Sequence, residues 1–360
     1  MGLEFSAAVG RIPEYPAAAG YAWTGPLVRL ASNESPYPPL PEVVEAITRV
    51  LGGLNRYPDP TNGELRRCLS DRYGVPAERI AVGNGSCDIL LAAGEALLEP
   101  GAELIYAWPS FSVYPHLGAA SGARAIEVGL DADDRHDLAA MAAEITVATR
   151  LVIICNPNNP TSTAIGLESI AGFLDEVPER VCVILDEAYC EFSLLDDPDS
   201  SIDLLARHPN LVLLRTFSKV HGLCGLRVGY ALCASRELPD AVNKVRQPFF
   251  CNAAAQAAAI AALGRQDAVT QRVERTVVAR AELYEGLSGL GLYPAQSQAN
   301  FCWFSLGDGR DEVAVVDGLA EQGVLVRAGG SLGRAGSLRV TYGTPTENAR
   351  FLEVLGSLLG

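Results

Sequence analysis

Leu211-Val-Leu-Leu-Arg215-Thr-Phe-Ser-Lys219-Val-His-Gly-Leu-Cys-Gly-Leu-Arg227-Val-Gly-Tyr230 passes from an apolar run through hydroxyls and an amine into a glycine-rich turn, then into a second apolar run. A short continuous apolar run bounded by turn residues reads as a strand covered on both faces. The polar residues after it then fall at the strand's carboxyl end, where open α/β sheets hold their ligands. Lys219 is one of only two lysines in the chain, the other being Lys244 in a helix-like, solvated context. Beside a backbone-tight turn, Lys219 reads as a desolvated amine with a lowered pKa, suited to a covalent bond with a carbonyl. Read alone, it serves equally as a structural lysine paired with a carboxylate, so the rest of the chain must decide.

Similar apolar runs recur at Ile80-Val82, Glu103-Tyr106, Leu151-Cys155, Val181-Leu185 and Val228-Cys233, separated mostly by helix-like segments. This alternation predicts an α/β fold around a mostly parallel sheet. Gly83-Asn-Gly-Ser-Cys-Asp88, Trp108-Pro-Ser-Phe111, Asn156-Pro-Asn-Asn-Pro-Thr161 and Asp186-Glu-Ala-Tyr189 follow such runs as Thr216-Phe-Ser-Lys219 does, so five loops are expected at one mouth. Helices are expected from Pro41 to Val50, with proline in the first turn, and over Gly63 to Tyr73. A long helix is predicted over 266–289. Beyond it a smaller α+β pattern carries strands at Phe301-Phe304, Val324-Val326 and Leu338-Thr341 and a closing helix from Asn348 to Leu359. The expected organisation is an extended, proline-rich arm over residues 1–40, a large unit over 41–262 and a small carboxyl-terminal unit over 263–360.

Composition bounds the function. At 360 residues and 49% hydrophobic the chain buries a large core and exceeds the size at which one core stops growing. A net charge of −15 disfavours a nucleic-acid partner, whose phosphates require clustered basic residues. The nine cysteines form no Cys-x-x-Cys pair, and several sit in strand-like runs, as small buried hydrophobes of a reducing compartment do. Neither a signal peptide nor an apolar run of membrane-spanning length is read, so a cytoplasmic protein without a membrane partner is expected.

The five loops supply complementary chemistry. The first turn of the helix after Gly83-Asn-Gly-Ser presents free N–H groups to an anion, and Arg227 with the hydroxyls of Thr216 and Ser218 completes a phosphate cup. Asp186, at a buried strand end, calls for a cationic partner such as a protonated ring nitrogen. Asn159 and Tyr189 are candidates to hydrogen-bond a phenolic oxygen on that ring. Phe111 is placed to stack on it, worth roughly 0.5–1.5 kcal/mol beyond its area burial. Each of these alone has an ordinary structural alternative.

Together, Asn33-Glu-Ser-Pro-Tyr, Arg56-Tyr-Pro-Asp, Gly83-Asn-Gly-Ser, Asn156-Pro-Asn-Asn-Pro-Thr, Asp186-Glu-Ala-Tyr, Arg215-Thr-Phe-Ser-Lys, Gly225-Leu-Arg-Val-Gly-Tyr and Leu338-Arg-Val resemble fold-type I, pyridoxal-phosphate-dependent aminotransferases of the histidinol-phosphate and aromatic amino acid group. The resemblance runs from about residue 28 to the end. It implies a three-layer α/β fold with a smaller α+β domain and pyridoxal 5'-phosphate as cofactor. Lys219 becomes the Schiff-base lysine, Asp186 the ring-nitrogen partner, and Asn159 and Tyr189 the phenolic-oxygen contacts. Ser86, Cys87, Thr216, Ser218 and Arg227 become the phosphate ligands. It further implies a homodimer in which Tyr57 reaches the neighbouring active site, Arg339 as the fork for the substrate carboxylate, Arg327 as a second anion-binding arginine and Tyr15 as an arm residue near the substrate. Four positions depart from the pattern: Cys87, Ser162 in place of the usual glycine, and Val220-His221 after the lysine.

Tyr106-Ala-Trp-Pro-Ser-Phe-Ser-Val-Tyr-Pro115 and Ser297-Gln-Ala-Asn-Phe-Cys-Trp-Phe-Ser-Leu-Gly307 are more similar to the aromatic branch. The expected reaction is amino transfer from a phenylalanine- or tyrosine-type donor to 2-oxoglutarate by a ping-pong course. Histidinol phosphate is the alternative donor, and a lyase or decarboxylase on the same fold is a further rival. A ligand-sensing module would need an added DNA-binding region.

Overall fold

The computed structural model describes residues 3–14 and 27–360. Its central sheet has seven strands in the spatial order Ile80–Gly83, Gly229–Cys233, Leu211–Thr216, Cys182–Asp186, Thr149–Cys155, Glu103–Trp108 and Arg124–Gly129. Only Gly229–Cys233 runs against its neighbours; the pairs among the other five adjoining strands are parallel. The sheet is apolar on both faces, as the continuous runs require. Ile105, Val152, Val183 and Leu213 pack on one side with Leu65, Ile170 and Ala258. Leu104, Leu151, Ile184 and Val212 pack on the other with Ile89, Leu117 and Val242. Helices thus cover both faces, giving three layers, and each fully buried aliphatic side chain contributes about 1.5–3 kcal/mol.

The helix Pro41–Val50 begins on its proline, which lacks only an N–H that the first turn leaves unpaired anyway. Gly63–Tyr73 ends on Gly74 in the left-handed conformation that glycine adopts without penalty. Both helices contact Ala253–Leu263, whose buried Ala255, Ala258 and Ala259 keep its surface flat enough for close approach.

The seventh strand, Arg124–Gly129, falls outside the sequence expectation. It is an edge strand whose residues mostly face solvent, and only Ile126 and Val128 point inward. Alternation carried by two residues does not stand out from a loop.

A second group of elements packs around Leu30, Leu283, Leu287, Phe304, Leu319 and Phe351. Its sheet is antiparallel, in the order Arg327–Ala328, Ser337–Thr341, Phe301–Ser305. The run expected as one strand at Val324-Val326 is divided. Val324–Leu325 pairs in parallel with Val28–Arg29 from the beginning of the chain, whereas Arg327–Ala328 joins the antiparallel sheet. Residues 28–30 of the expected arm are therefore built into a separate two-stranded sheet and this core, and the Thr341 N–H donates to the Leu30 carbonyl at 2.9 Å. The long helix is Gln266–Gly289, as expected. The closing helix, Pro345–Leu359, starts three residues before the expected Asn348 because Thr344 and Glu347 form a reciprocal capping box ahead of its apolar stripe.

Candidate active site

All five loops reach one cavity of about 330 Å³ at the carboxyl ends of the parallel strands. Ser86, Cys87, Phe111, Asn159, Asp186, Tyr189, Thr216, Ser218, Lys219 and Arg227 line it, and Ser32 and Glu34 close it from the first residues of the chain. A larger cleft of about 640 Å³ lies between Asp134 and Arg334. Its Arg334 is already paired with Asp134 at 2.6 Å, and none of the five loops' reactive groups enters it.

Lys219 lies partly buried beyond the strand Leu211–Thr216. Its Nζ donates to the Ser32 carbonyl at 3.2 Å and stands 5.6 Å from the centre of the Tyr189 ring. Burial, with the Arg339 guanidinium nearby, lowers the ammonium pKa to about 8. Asp186 ends the strand Cys182–Asp186 and is 3% exposed. Burial raises its carboxyl to about 6, against the opposing pull of hydrogen bonds from the Tyr114 hydroxyl at 2.8 Å and the Ala188 N–H at 3.2 Å.

Tyr189 receives a hydrogen bond from Asn33 Nδ2 at 3.0 Å and meets Phe301 edge-on at 5.1 Å. Burial pushes its phenol upward, while Arg339 and Asn33 pull it back. Asn159 is buried and accepts from Arg339 Nη1 at 2.6 Å; Arg339 Nη2 donates to the Ala31 carbonyl, also at 2.6 Å. Phe111 is held edge-on to Tyr114 at 5.7 Å.

The opposite end of the cavity has the form of an anion cup. The helix Ser86–Leu97 starts there, with Gly85 at φ 82° before it. Thr216 Oγ1 and Ser218 Oγ lie 2.9 Å apart, and Arg227 reaches Ser218 Oγ at 3.5 Å and the Cys224 carbonyl at 2.9 Å. A Cβ on Gly85 would strike the Arg227 guanidinium, and one on Gly229 would strike the Ser86 amide and the Gly85 carbonyl carbon. Only bare backbone leaves this cradle open. Cys87 lies in the first turn, its thiol pushed up mainly by burial.

Arg339, Arg327 and Tyr57 are not among the residues that line the cavity. Arg327 is buried directly opposite Arg339 in the strand pairing, so the two guanidinium side chains share one face of the small sheet. Tyr57 is 80% exposed and stacks on Phe249 at 4.4 Å. Tyr15 lies outside the described residues.

Sequence reasoning missed Tyr114 and the individual role of Asn33. Tyr114 begins a helix 72 residues from the carboxylate it touches, and no local pattern marks that contact. Asn33 carried a signal in its own motif: its φ of 54° is the left-handed conformation that asparagine tolerates. That turn aims its side chain at Tyr189 and its backbone N–H at Thr341 Oγ1, 2.9 Å away.

An amine, a buried acid and a cup for an anion in one cavity at the strand ends of a sheet of this order define a transferase fold of the fold-type I class. The family profile "Aminotransferase class I and II" matches residues 26–355, and the chain belongs to that family. It is 42% identical over 328 residues to the aromatic amino acid aminotransferase of Cutibacterium acnes, covering 91% of each chain. It is 46% identical over 330 residues to histidinol-phosphate aminotransferase 1 of Cupriavidus pinatubonensis, covering 91% of this chain and 87% of the relative. Among solved structures, histidinol-phosphate aminotransferase from Sinorhizobium meliloti in complex with pyridoxal-5'-phosphate superposes with a TM-score of 0.86 at 28% identity, covering 99% of each chain.

Proposed function

We propose that this aminotransferase takes the amino group of an aromatic L-amino acid and passes it to 2-oxoglutarate, the first product leaving before the acceptor binds. The cofactor is pyridoxal 5'-phosphate, and the cavity fits it. The glycine-lined cup suits a phosphate, the acid suits a protonated ring nitrogen, and the amine lines the same cavity. When bound, that group withdraws electrons from the donor's α-carbon.

The chain's own residues would divide the work as follows. Lys219 Nζ is the covalent attachment point and, once released, carries the proton from the donor's α-carbon. A lowered pKa makes its neutral form accessible near physiological pH. Asp186 keeps the ring nitrogen protonated, and Tyr114 fixes the orientation of its carboxylate. Tyr189 and Asn159 hold the ring's phenolic oxygen, and Phe111 covers one ring face. The Ser86 and Cys87 amides, Thr216, Ser218 and Arg227 bind the phosphate, with Tyr57 arriving from a second copy in a homodimer. The exposed Leu51, Leu54 and Tyr57 offer that copy an apolar surface. Division into an arm over 1–40 and units over 41–262 and 263–360 is part of the same proposal, as is a cytoplasmic location.

The observation that carries the substrate reading is the paired position of Arg339 and Arg327. Both guanidiniums are buried on adjacent strands, and two of them on one face suit ligands that carry more than one anionic group. Arg339, joined to Asn159, would take the α-carboxylate common to both substrates, and Arg327 the distal carboxylate of 2-oxoglutarate. An aromatic side chain would need only apolar surface. The same arginine pair also favours a second reading, in which Arg327 takes the phosphate of histidinol phosphate; the Cupriavidus relative carries that name.

Comparing kcat/KM for phenylalanine, tyrosine, histidinol phosphate and aspartate with 2-oxoglutarate separates the two. With Arg327→Leu, loss of a charge-assisted pair worth about 1.5–3 kcal/mol should weaken the 2-oxoglutarate half-reaction and spare that of phenylalanine. If histidinol phosphate is the best donor and its half-reaction collapses, the aromatic reading is wrong.

A further inference from the structure

The reading of Lys219 as the reacting amine, on which this inference rests, requires that its backbone and the carbonyl facing its Nζ be held in register. We propose that Arg272 is the positioning residue that does this. It lies in the helix Gln266–Gly289, far from the five loops in sequence, and is 7% exposed. Its Nη1 donates to the Val220 carbonyl at 2.8 Å and its Nη2 to the Pro38 carbonyl at 2.8 Å.

Val220 adjoins Lys219. Pro38 belongs to the segment carrying Ser32, whose carbonyl meets Lys219 Nζ, and Asn33, whose amide holds Tyr189. One planar guanidinium therefore ties together the two stretches of chain that set the amine's position.

Two further observations separate this from routine packing. Among the described residues no carboxylate lies within ion-pair distance of Arg272, so the fold keeps a buried cation on backbone carbonyls alone. Burying a charge without an opposite one is costly, and a hydrophobic residue would fill the same space more cheaply. Gly222, three residues after Lys219, adopts φ 68°, and a Cβ there would come within 3.0 Å of Arg272 Nη1. The turn after the lysine is shaped to admit the guanidinium. Lysine cannot replace it, because a single ammonium lacks the rigid fork that reaches two carbonyls at once.

The test uses holoenzyme of the wild type, Arg272→Lys and Arg272→Ala. Borohydride reduction of the wild type must first tag Lys219; a tag elsewhere, or none, overturns the underlying assignment of the amine and this inference with it. Given that tag, Arg272→Lys should lower kcat about tenfold or more, the equivalent of one charge-assisted hydrogen bond, with the donor's KM unchanged because Arg339 is untouched. The rate at which stripped enzyme re-attaches cofactor to Lys219, read by borohydride trapping, should fall in parallel. Added guanidinium ion should restore both rates in Arg272→Ala but not in Arg272→Lys, whose side chain occupies the site. Wild-type kcat and attachment rate in Arg272→Lys would overturn the proposal, as would a rise in KM alone or failure of guanidinium to rescue a folded Arg272→Ala. Should the alanine variant not fold, the lysine variant decides through the split between kcat and KM and the attachment rate.

Discussion

Replacing Asp186 with asparagine tests the central electrostatic idea by two opposite effects in one variant. In cofactor-free protein the carboxyl is raised from 3.8 to about 6 chiefly by burial. A raised acid stabilises the folded state fully below its unfolded pKa, and this contribution is lost as pH rises through about 6. At pH 8 the buried carboxylate should therefore cost on the order of 3 kcal/mol relative to pH 3, from two pH units at about 1.4 kcal/mol each. Asparagine removes the charge while keeping the contacts. Its oxygen accepts from the Ala188 N–H, and the Tyr114 hydroxyl rotates to accept from its NH₂ group. Thermal melts of the stripped protein from pH 4 to 8 should show Asp186→Asn gaining on the wild type as pH rises, becoming the more stable by pH 8. With cofactor bound the order should reverse, since the wild-type carboxylate then faces a cation, and the variant should lose most transaminase activity. Parallel melting curves across the pH range would refute the burial argument; near-normal turnover would refute the acid's role toward the ring nitrogen.

Three further outcomes follow from single residues. Amine-selective labelling of Lys219 in stripped enzyme should rise with a midpoint near pH 8, where burial and Arg339 place its pKa, and Lys219→Ala should abolish both borohydride tagging and turnover. A labelling midpoint near the ordinary lysine value of about 10.4 would count against a desolvated amine. Ser162→Gly should raise the urea midpoint by an amount equivalent to about 1 kcal/mol. It relieves a left-handed φ of 62° and removes a buried hydroxyl without a hydrogen-bond partner among the described residues, effects that outweigh glycine's larger unfolded-state entropy. A lowered midpoint would mean that the hydroxyl contributes something the contacts do not show.

The parallel sheet was legible because strands buried on both faces must be apolar throughout, so Leu151-Cys155 or Leu211-Leu214 needs no tertiary context to be read. Arg124–Gly129 was not, because an edge strand with four solvent-facing residues obeys no such constraint. The break between Leu325 and Arg327 was equally hidden: partner exchange depends on Val28–Arg29, nearly three hundred residues earlier, and leaves the local pattern unchanged. Within the cavity, residues on the five loops were readable since each follows a recognisable strand end. Tyr114 and Arg272 were not, because each acts from a helix whose surroundings resemble ordinary packing.

The charge distribution shows how an acidic chain keeps basic groups in its cavity. Two of the five loops bring acids besides Asp186, and both are neutralised away from the cavity. Asp88 turns toward Arg246 at 3.5 Å, and Glu187 pairs with the fully buried Arg215 at 2.8 Å. Among the described residues of the cavity wall, Asp186 and Glu34 are the carboxylates that oppose Lys219 and Arg227, with Arg339 hydrogen-bonded to the lining residue Asn159. Arg339 depresses the Lys219 amine, so cation–cation repulsion already exists there before anything binds. On the proposed reading, an anionic group bound at Arg339 would relieve that repulsion, in surroundings where screening by water is weak. Asp88 and Glu187 direct their charge to these arginines rather than to Lys219 or Arg227. These ion pairs thus leave the basic groups of the cavity less opposed, although the protein as a whole carries a net charge of −15.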